Sequence, residues 1–185
     1  MNTKNIVRIL LSLVLVFGFS SAWAAQTIKW SMQGDSLTLD PHAQNEGPTT
    51  QVSRQVYEAL VQRGLDMKIG PALATKWRTT DPNNWIFDLR KDAKFSDGTG
   101  MTSADVVFSI LRAKQRTSDF KEYISTISDV TAIGDYSVKI TTSKPNPILL
   151  NQLSNIFIMS KAWSEKNFAM SPQHWDAGQE TFPAT

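Results

Sequence analysis

The chain is predicted to be an α/β protein with local hairpins, and three stretches of sequence predict it. In residues 85–89, Trp85, Phe87 and Leu89 alternate with Ile86 and Asp88, which puts three large apolar side chains on one face of a strand. Downstream, Thr102 stands three residues before Asp105, as in a capping-box helix start. Val106, Val107, Ile110 and Leu111 then recur at helical spacing. From Asp129 to Thr142, Val130 and Ala132 face Tyr136, Val138 and Ile140 across Gly134-Asp135, the pattern of a β-hairpin. Strands and helices do not alternate regularly, which disfavours a simple doubly wound sheet.

The first 24 residues read as an export signal. Lys4 and Arg8 give a positive start, Ile9 to Phe19 is an apolar run, and Ala22-Trp23-Ala24 supplies small residues at a cleavage site. The run is too short for a spanning helix, which takes roughly 20 apolar residues. Cleavage after Ala24 is expected, leaving residues 25–185 as the mature part. With no cysteine, the chain lacks the residue a lipid anchor would use, so a periplasmic address without membrane insertion is expected.

In order after the signal, Thr27–Met32 reads as a strand and residues 33–50 as a turn-rich loop. A helix is predicted over Gln51–Leu60, with Thr49 or Thr50 as cap and Gly64 ending the unit. A short helix over Ala72–Lys76, the strand Trp85–Leu89, a turn at Ser96-Asp97-Gly98 and a helix over Ser103–Arg116 follow. Asp97-Gly98 combines a carboxylate that caps a turn with a residue free to take positive φ. After the hairpin, Pro145 and Pro147 stop the strand. A helix over Ile148–Leu153, a strand over Asn155–Ser160 and a helix over Ala162–Phe168 complete the order.

Charge excludes several functions. The whole chain has 19 Lys+Arg against 17 Asp+Glu, and removing Lys4 and Arg8 with the signal leaves 17 against 17. A neutral mature chain has no basic field for nucleic acid or anionic lipid. With no cysteine and only His42 and His174, far apart, there is no metal-ligand spacing. There is no Gly-x-Ser-x-Gly elbow and no phosphate-cradling glycine loop, so no catalytic group and no cofactor is expected.

One run carries a resemblance. Pro71, Ala72, Leu73, Ala74 and Trp77 are followed by Trp85, Phe87, Leu89 and Arg90. Phe95, Asp97, Gly98, Thr102, Ala104, Asp105, Val106, Phe108 and Ser109 complete it. This spacing resembles the family 5 extracellular solute-binding proteins of ABC importers, the peptide- and nickel-type receptors. The resemblance implies a periplasmic binding protein type II-like fold, two-lobed in the full family. Here it implies an incomplete N-terminal piece with a mixed sheet and a β-hairpin, the signature lobe lying at about residues 50–160. It implies a monomeric receptor that closes its cleft on a peptide-like solute and hands it to an inner-membrane permease. A truncated, non-transporting remnant and an exported hydrolase are the alternatives.

The resemblance also suggests site residues. In the family, the stretch after Leu39-Asp40-Pro41-His42 passes along the cleft, which selects Asn45, Glu46 and Gly47; an ordinary turn is the competing reading. Phe120 and Tyr123 match positions where related proteins set an aromatic against ligand, with core packing as the alternative. Asn155 is a further candidate. His42 is assigned to stabilising its turn, and Trp30 and Trp77 to packing.

Overall fold

The computed structural model describes residue 29 and residues 31–172. The chain divides into two units, Met1–Ser31 and Met32–Thr185, and the second contains everything discussed below. The export signal, most of the strand expected over Thr27–Met32, Trp30 and His174 lie outside the described residues.

Helix α1 (Gly47–Val56) is followed by a two-stranded ribbon, β1 (Val61–Arg63) and β2 (Ile69–Pro71). Four strands then form one sheet in the order β3-β4-β6-β5: β3 (Ala74–Asp81), β4 (Asn84–Leu89), β5 (Ile127–Ala132) and β6 (Ser137–Thr142). Helix α2 (Ser103–Ala113) and a 3-10 turn (Lys121–Ile124) separate β4 from β5. Two short helices, α3 (Leu149–Leu153) and α4 (Lys161–Lys166), close the unit. Every strand pair among the described residues is antiparallel, so the mixed sheet expected from the resemblance is not what these strands form.

The predicted alternation in β4 organises the core. Phe87 is fully buried between Trp77 of β3 and Val138 of β6 in register, and Trp85 stacks at 6.5 Å beside it. Val106 and Ile110 of α2 join the same cluster as Val138 and Ile140. At the start of α2, the Asp105 carboxylate accepts the Thr102 N–H at 2.8 Å, as the spacing predicted. The hairpin turns where expected, with Gly134 at φ +69.

Several boundaries differ from expectation. Residues 72–76 are not a helix: Ala74 begins β3, and Leu73 and Ala74 donate to the carbonyls of Ala59 and Leu60. Tertiary pairing thus overrides the helix propensity of Pro-Ala-Leu-Ala, helped by Thr75, Trp77, Thr79 and Thr80, which suit an extended chain. Helix α1 starts earlier than predicted, and Glu46 rather than Thr49 or Thr50 caps it, accepting the Thr49 N–H at 3.3 Å. It ends at Val56 because Tyr57 turns extended. Helix α2 stops at Ala113 rather than Arg116. Residues 155–160 form no strand. Ile158 donates to Glu58 O and Met159 to Ser109 Oγ, so these backbone groups are satisfied without a ladder.

The Ser96-Asp97-Gly98 turn is built as predicted. Thr99 N–H donates to Asp97 Oδ1 at 2.8 Å, Gly98 N–H to Phe95 O at 2.9 Å, and Gly98 sits at φ +86. A Cβ there would meet nothing within 4 Å, so the demand for glycine is conformational alone. Gly98→Val is expected to cost about 1–3 kcal/mol, the range for a non-glycine residue forced into a sparsely populated backbone region. Urea denaturation midpoints check it, and ligand choice should be unchanged.

Candidate functional site: a polar groove beside helix α1

The described residues form a broad polar groove of about 840 Å³, lined by Arg54, Arg63, Glu122, Tyr123, Asn151 and Asn155 among others. Helix α1 contributes Arg54 and β1 contributes Arg63. The 3-10 turn supplies Tyr123, and α3 with the residues after it supplies Asn151 and Asn155. Arg54 Nη2 donates to Asn155 Oδ1 at 2.8 Å, and Arg63 Nη2 to Asn151 Oδ1 at 3.0 Å. Asn155 Nδ2 donates to the Asn151 carbonyl at 3.1 Å, and the Arg54 guanidinium lies 5.9 Å from the Phe157 ring centroid. Both cations are held by neutral amides, and with Glu122 as the one carboxylate in the lining the groove keeps a surplus of one positive charge. Such a wall offers donors to a carboxylate or to peptide carbonyls.

The six residues selected from the sequence fall into three groups. Tyr123 and Asn155 line the groove, and exposed Asn45 donates to Tyr123 Oη at 3.4 Å, so three of them converge. Glu46 is engaged as the α1 cap, also bonded by Thr49 Oγ1, and Gly47 is the first residue of that helix. A Cβ at Gly47 would meet nothing within 4 Å, so no close approach inside this chain requires glycine there. Phe120 is buried in the core, with its ring 5.8 Å from Tyr123 and 6.4 Å from His42, so it supports Tyr123 from behind. Arg54, Arg63 and Asn151 were not picked out from the sequence. A basic residue in the last turn of α1 was the one available signal for Arg54.

Behind the groove lies a buried network that sequence reasoning also missed. Arg112 and Asp40 form an ion pair at 2.6 Å with both side chains 0% exposed. Arg112 uses all five N–H donors: two to Asp40, one to His42 Nδ1, and one each to the carbonyls of Ala169 and Ser171. Accepting from Arg112 at Nδ1 places the His42 proton on Nε2, which donates to Phe157 O at 3.0 Å. Burial, then the neighbouring Arg112 charge, pushes the imidazole down to about 4 against the opposing pull of Asp40 and the Phe157 carbonyl. The Asp-Pro-His motif is therefore a structural clamp. An arginine on the buried face of an apolar helix was the sign that an acid had to meet it. Among the described residues, no three His, Cys, Asp or Glu side chains gather as a metal site, and no helix is long and apolar enough to cross a membrane.

An α/β lobe with an open polar groove suits the binding of a small solute. The family model for bacterial extracellular solute-binding proteins, family 5 Middle, matches residues 68–182, and the chain belongs to that family. The periplasmic oligopeptide-binding protein OppA of Escherichia coli K12 is 33% identical over 141 residues, covering 66% of this chain and 26% of the relative. The periplasmic murein peptide-binding protein MppA of the same organism is 28% identical over 182 residues, covering 82% and 34%. Among solved structures, AgaA from A. tumefacien R10 with agropinic acid superposes with a TM-score of 0.69 at 33% identity, covering 73% of this chain and 28% of that one. The murein tripeptide-binding protein MppA of Escherichia coli gives 0.69 at 30%, covering 73% and 31%. The chain therefore spans 26–34% of the length of these relatives. Members of the family are binding proteins rather than enzymes.

Proposed function

We propose that this protein is the periplasmic substrate-binding component of an ABC importer for peptides or a related small solute. It acts as a monomer, without a cofactor, closing its cleft on the ligand and delivering it to an inner-membrane permease. The convergence of Asn45, Tyr123 and Asn155 on a groove carrying Arg54 and Arg63 supports this reading most directly. Side-chain amides and a phenol bond a peptide backbone without selecting its side chains, and the arginines suit a carboxylate. His42 is buried with both ring nitrogens engaged, so it is not available as the general base of a hydrolase.

Calorimetric titration of the exported protein with a di- and tripeptide library tests the assignment. Tyr123→Ala and Asn155→Ala are each expected to weaken binding about tenfold, or about 1.4 kcal/mol. Affinity unchanged in both variants would remove the groove from the site. Export with cleavage after Ala24 is expected too. N-terminal sequencing of the exported protein should begin at Ala25, and sedimentation should give a monomer; material starting at Met1 would refute the signal.

A further inference from the structure

The turn that joins β1 to β2 holds a methionine where backbone chemistry favours glycine. Met67 N–H donates to Gly64 O at 2.9 Å and Gly64 N–H to Lys68 O at 2.9 Å, which closes a tight loop over residues 64–68. Met67 stands in that loop at φ +63. This left-handed conformation suits glycine, asparagine or aspartate and penalises a long apolar side chain. The fold gains little in return, because Met67 is 66% exposed. Backbone strain that packing does not require points to a function for the side chain that bears it.

Met67 lines the groove beside helix α1 together with Ile148, which is itself 55% exposed. Arg63, the last residue of β1, directly precedes the turn, and its Nη2 donates to Asn151 Oδ1. Asn151 lies on α3 one turn after Ile148, the residue that opens that helix. One end of the groove therefore gathers a guanidinium, fixed by an amide, with two exposed apolar side chains. Over the whole groove, Arg54 and Arg63 outweigh Glu122. An anion with an apolar group beside it matches that end, and the C-terminal residue of a peptide carries both.

We propose that Met67 and Ile148 receive the apolar side chain of a peptide's C-terminal residue, whose carboxylate is bonded by Arg63. This deepens the solute-receptor reading and rests on it: the groove takes peptides and prefers those ending in a leucine-like residue. Met67 is then a specificity residue, kept at the expense of the turn.

Titration of the exported protein with tripeptides, followed by amide shifts, tests the proposal. Gly-Gly-Leu should bind about three- to tenfold more tightly than Gly-Gly-Gly, the gain from partly burying one leucine side chain. Leu-Gly-Gly carries that side chain at the other end and should match Gly-Gly-Gly. The amide of Gly-Gly-Leu lacks the carboxylate and should bind at least about tenfold more weakly than the acid. In Met67→Gly, Gly-Gly-Leu should fall to the affinity of Gly-Gly-Gly. The urea midpoint of this variant should stay level or rise, because glycine relieves the left-handed position. A methionine with a merely structural role would give the reverse, a lowered midpoint and an unchanged preference. Leu65→Ser, in the same turn but outside the groove lining, should leave these affinities unchanged. Groove shifts with equal affinity for Gly-Gly-Leu and Gly-Gly-Gly would overturn this inference alone. So would a lowered midpoint in Met67→Gly, or a loss of Gly-Gly-Leu affinity in Leu65→Ser as large as in Met67→Gly. No shift at Tyr123 or Asn155 with any of these peptides would overturn the solute-receptor reading with it.

Discussion

Arg112→Met is expected to destabilise the lobe by about 3–5 kcal/mol, the cost of breaking a buried ion pair. The mutation removes the two charge-assisted bonds from Arg112 to Asp40 in a fully buried site, and frees the carbonyls of Ala169 and Ser171. Methionine fills nearly the same volume, so the loss is electrostatic rather than a cavity effect. Arg112→Lys keeps the charge but cannot occupy five acceptor positions, and should cost less. Urea unfolding followed by circular dichroism measures both. A loss below about 1 kcal/mol in Arg112→Met would mean that the clamp is not what holds the ends of the lobe together.

Acidification is expected to remove about 3 kcal/mol through His42 alone. The imidazole titrates at about 4 in the folded protein against an ordinary 6.5. Because the folded value is the lower one, the unfolded chain takes up its proton first as pH falls. Stability contributed by neutral His42 is therefore full above about 6.5, declines between 6.5 and 4, and is fully lost below. Between pH 7 and pH 5 the loss should be about 2 kcal/mol. His42→Gln keeps a donor and an acceptor but does not titrate, so its stability should be nearly flat over that interval. An equal slope in the variant and the parent would assign the acid sensitivity to other groups.

The parts that could be read from residues alone were those decided by local periodicity and turn chemistry. Trp85-Phe87-Leu89, the Thr102–Asp105 helix start, the Asp97-Gly98 turn and the hairpin at Gly134 all depend on neighbours within a few positions, and all stand as predicted. Residues 72–76 and 155–160 went differently because long-range partners settle them: Ala59 and Leu60 hold the first extended, and Glu58 and Ser109 satisfy the second without a sheet. The site followed the same division. Asn45 and Tyr123 were selected through family resemblance and Asn155 for its place before residues 156–158; Tyr123 and Asn155 line one groove, and Asn45 joins them through its bond to Tyr123. Arg54, Arg63 and Asn151 carry no local pattern that separates them from ordinary surface residues. Their meeting depends on helix α1, strand β1 and helix α3 arriving side by side. The clamp of Asp40, His42 and Arg112 spans 72 residues of sequence, and no periodic signal reaches that far.

We propose the groove beside α1 as the ligand-facing wall of a solute-binding lobe. Amide shift mapping of the 185-residue chain during titration with di- and tripeptides tests it most directly, because the method registers millimolar binding. The expected result is a set of saturable shifts at Asn45, Arg54, Tyr123, Asn151 and Asn155, abolished by Tyr123→Ala with the core resonances of β4 and β6 unmoved. Peptide-induced shifts confined to residues outside the groove, or shifts there that survive Tyr123→Ala at full amplitude, would place the ligand wall elsewhere.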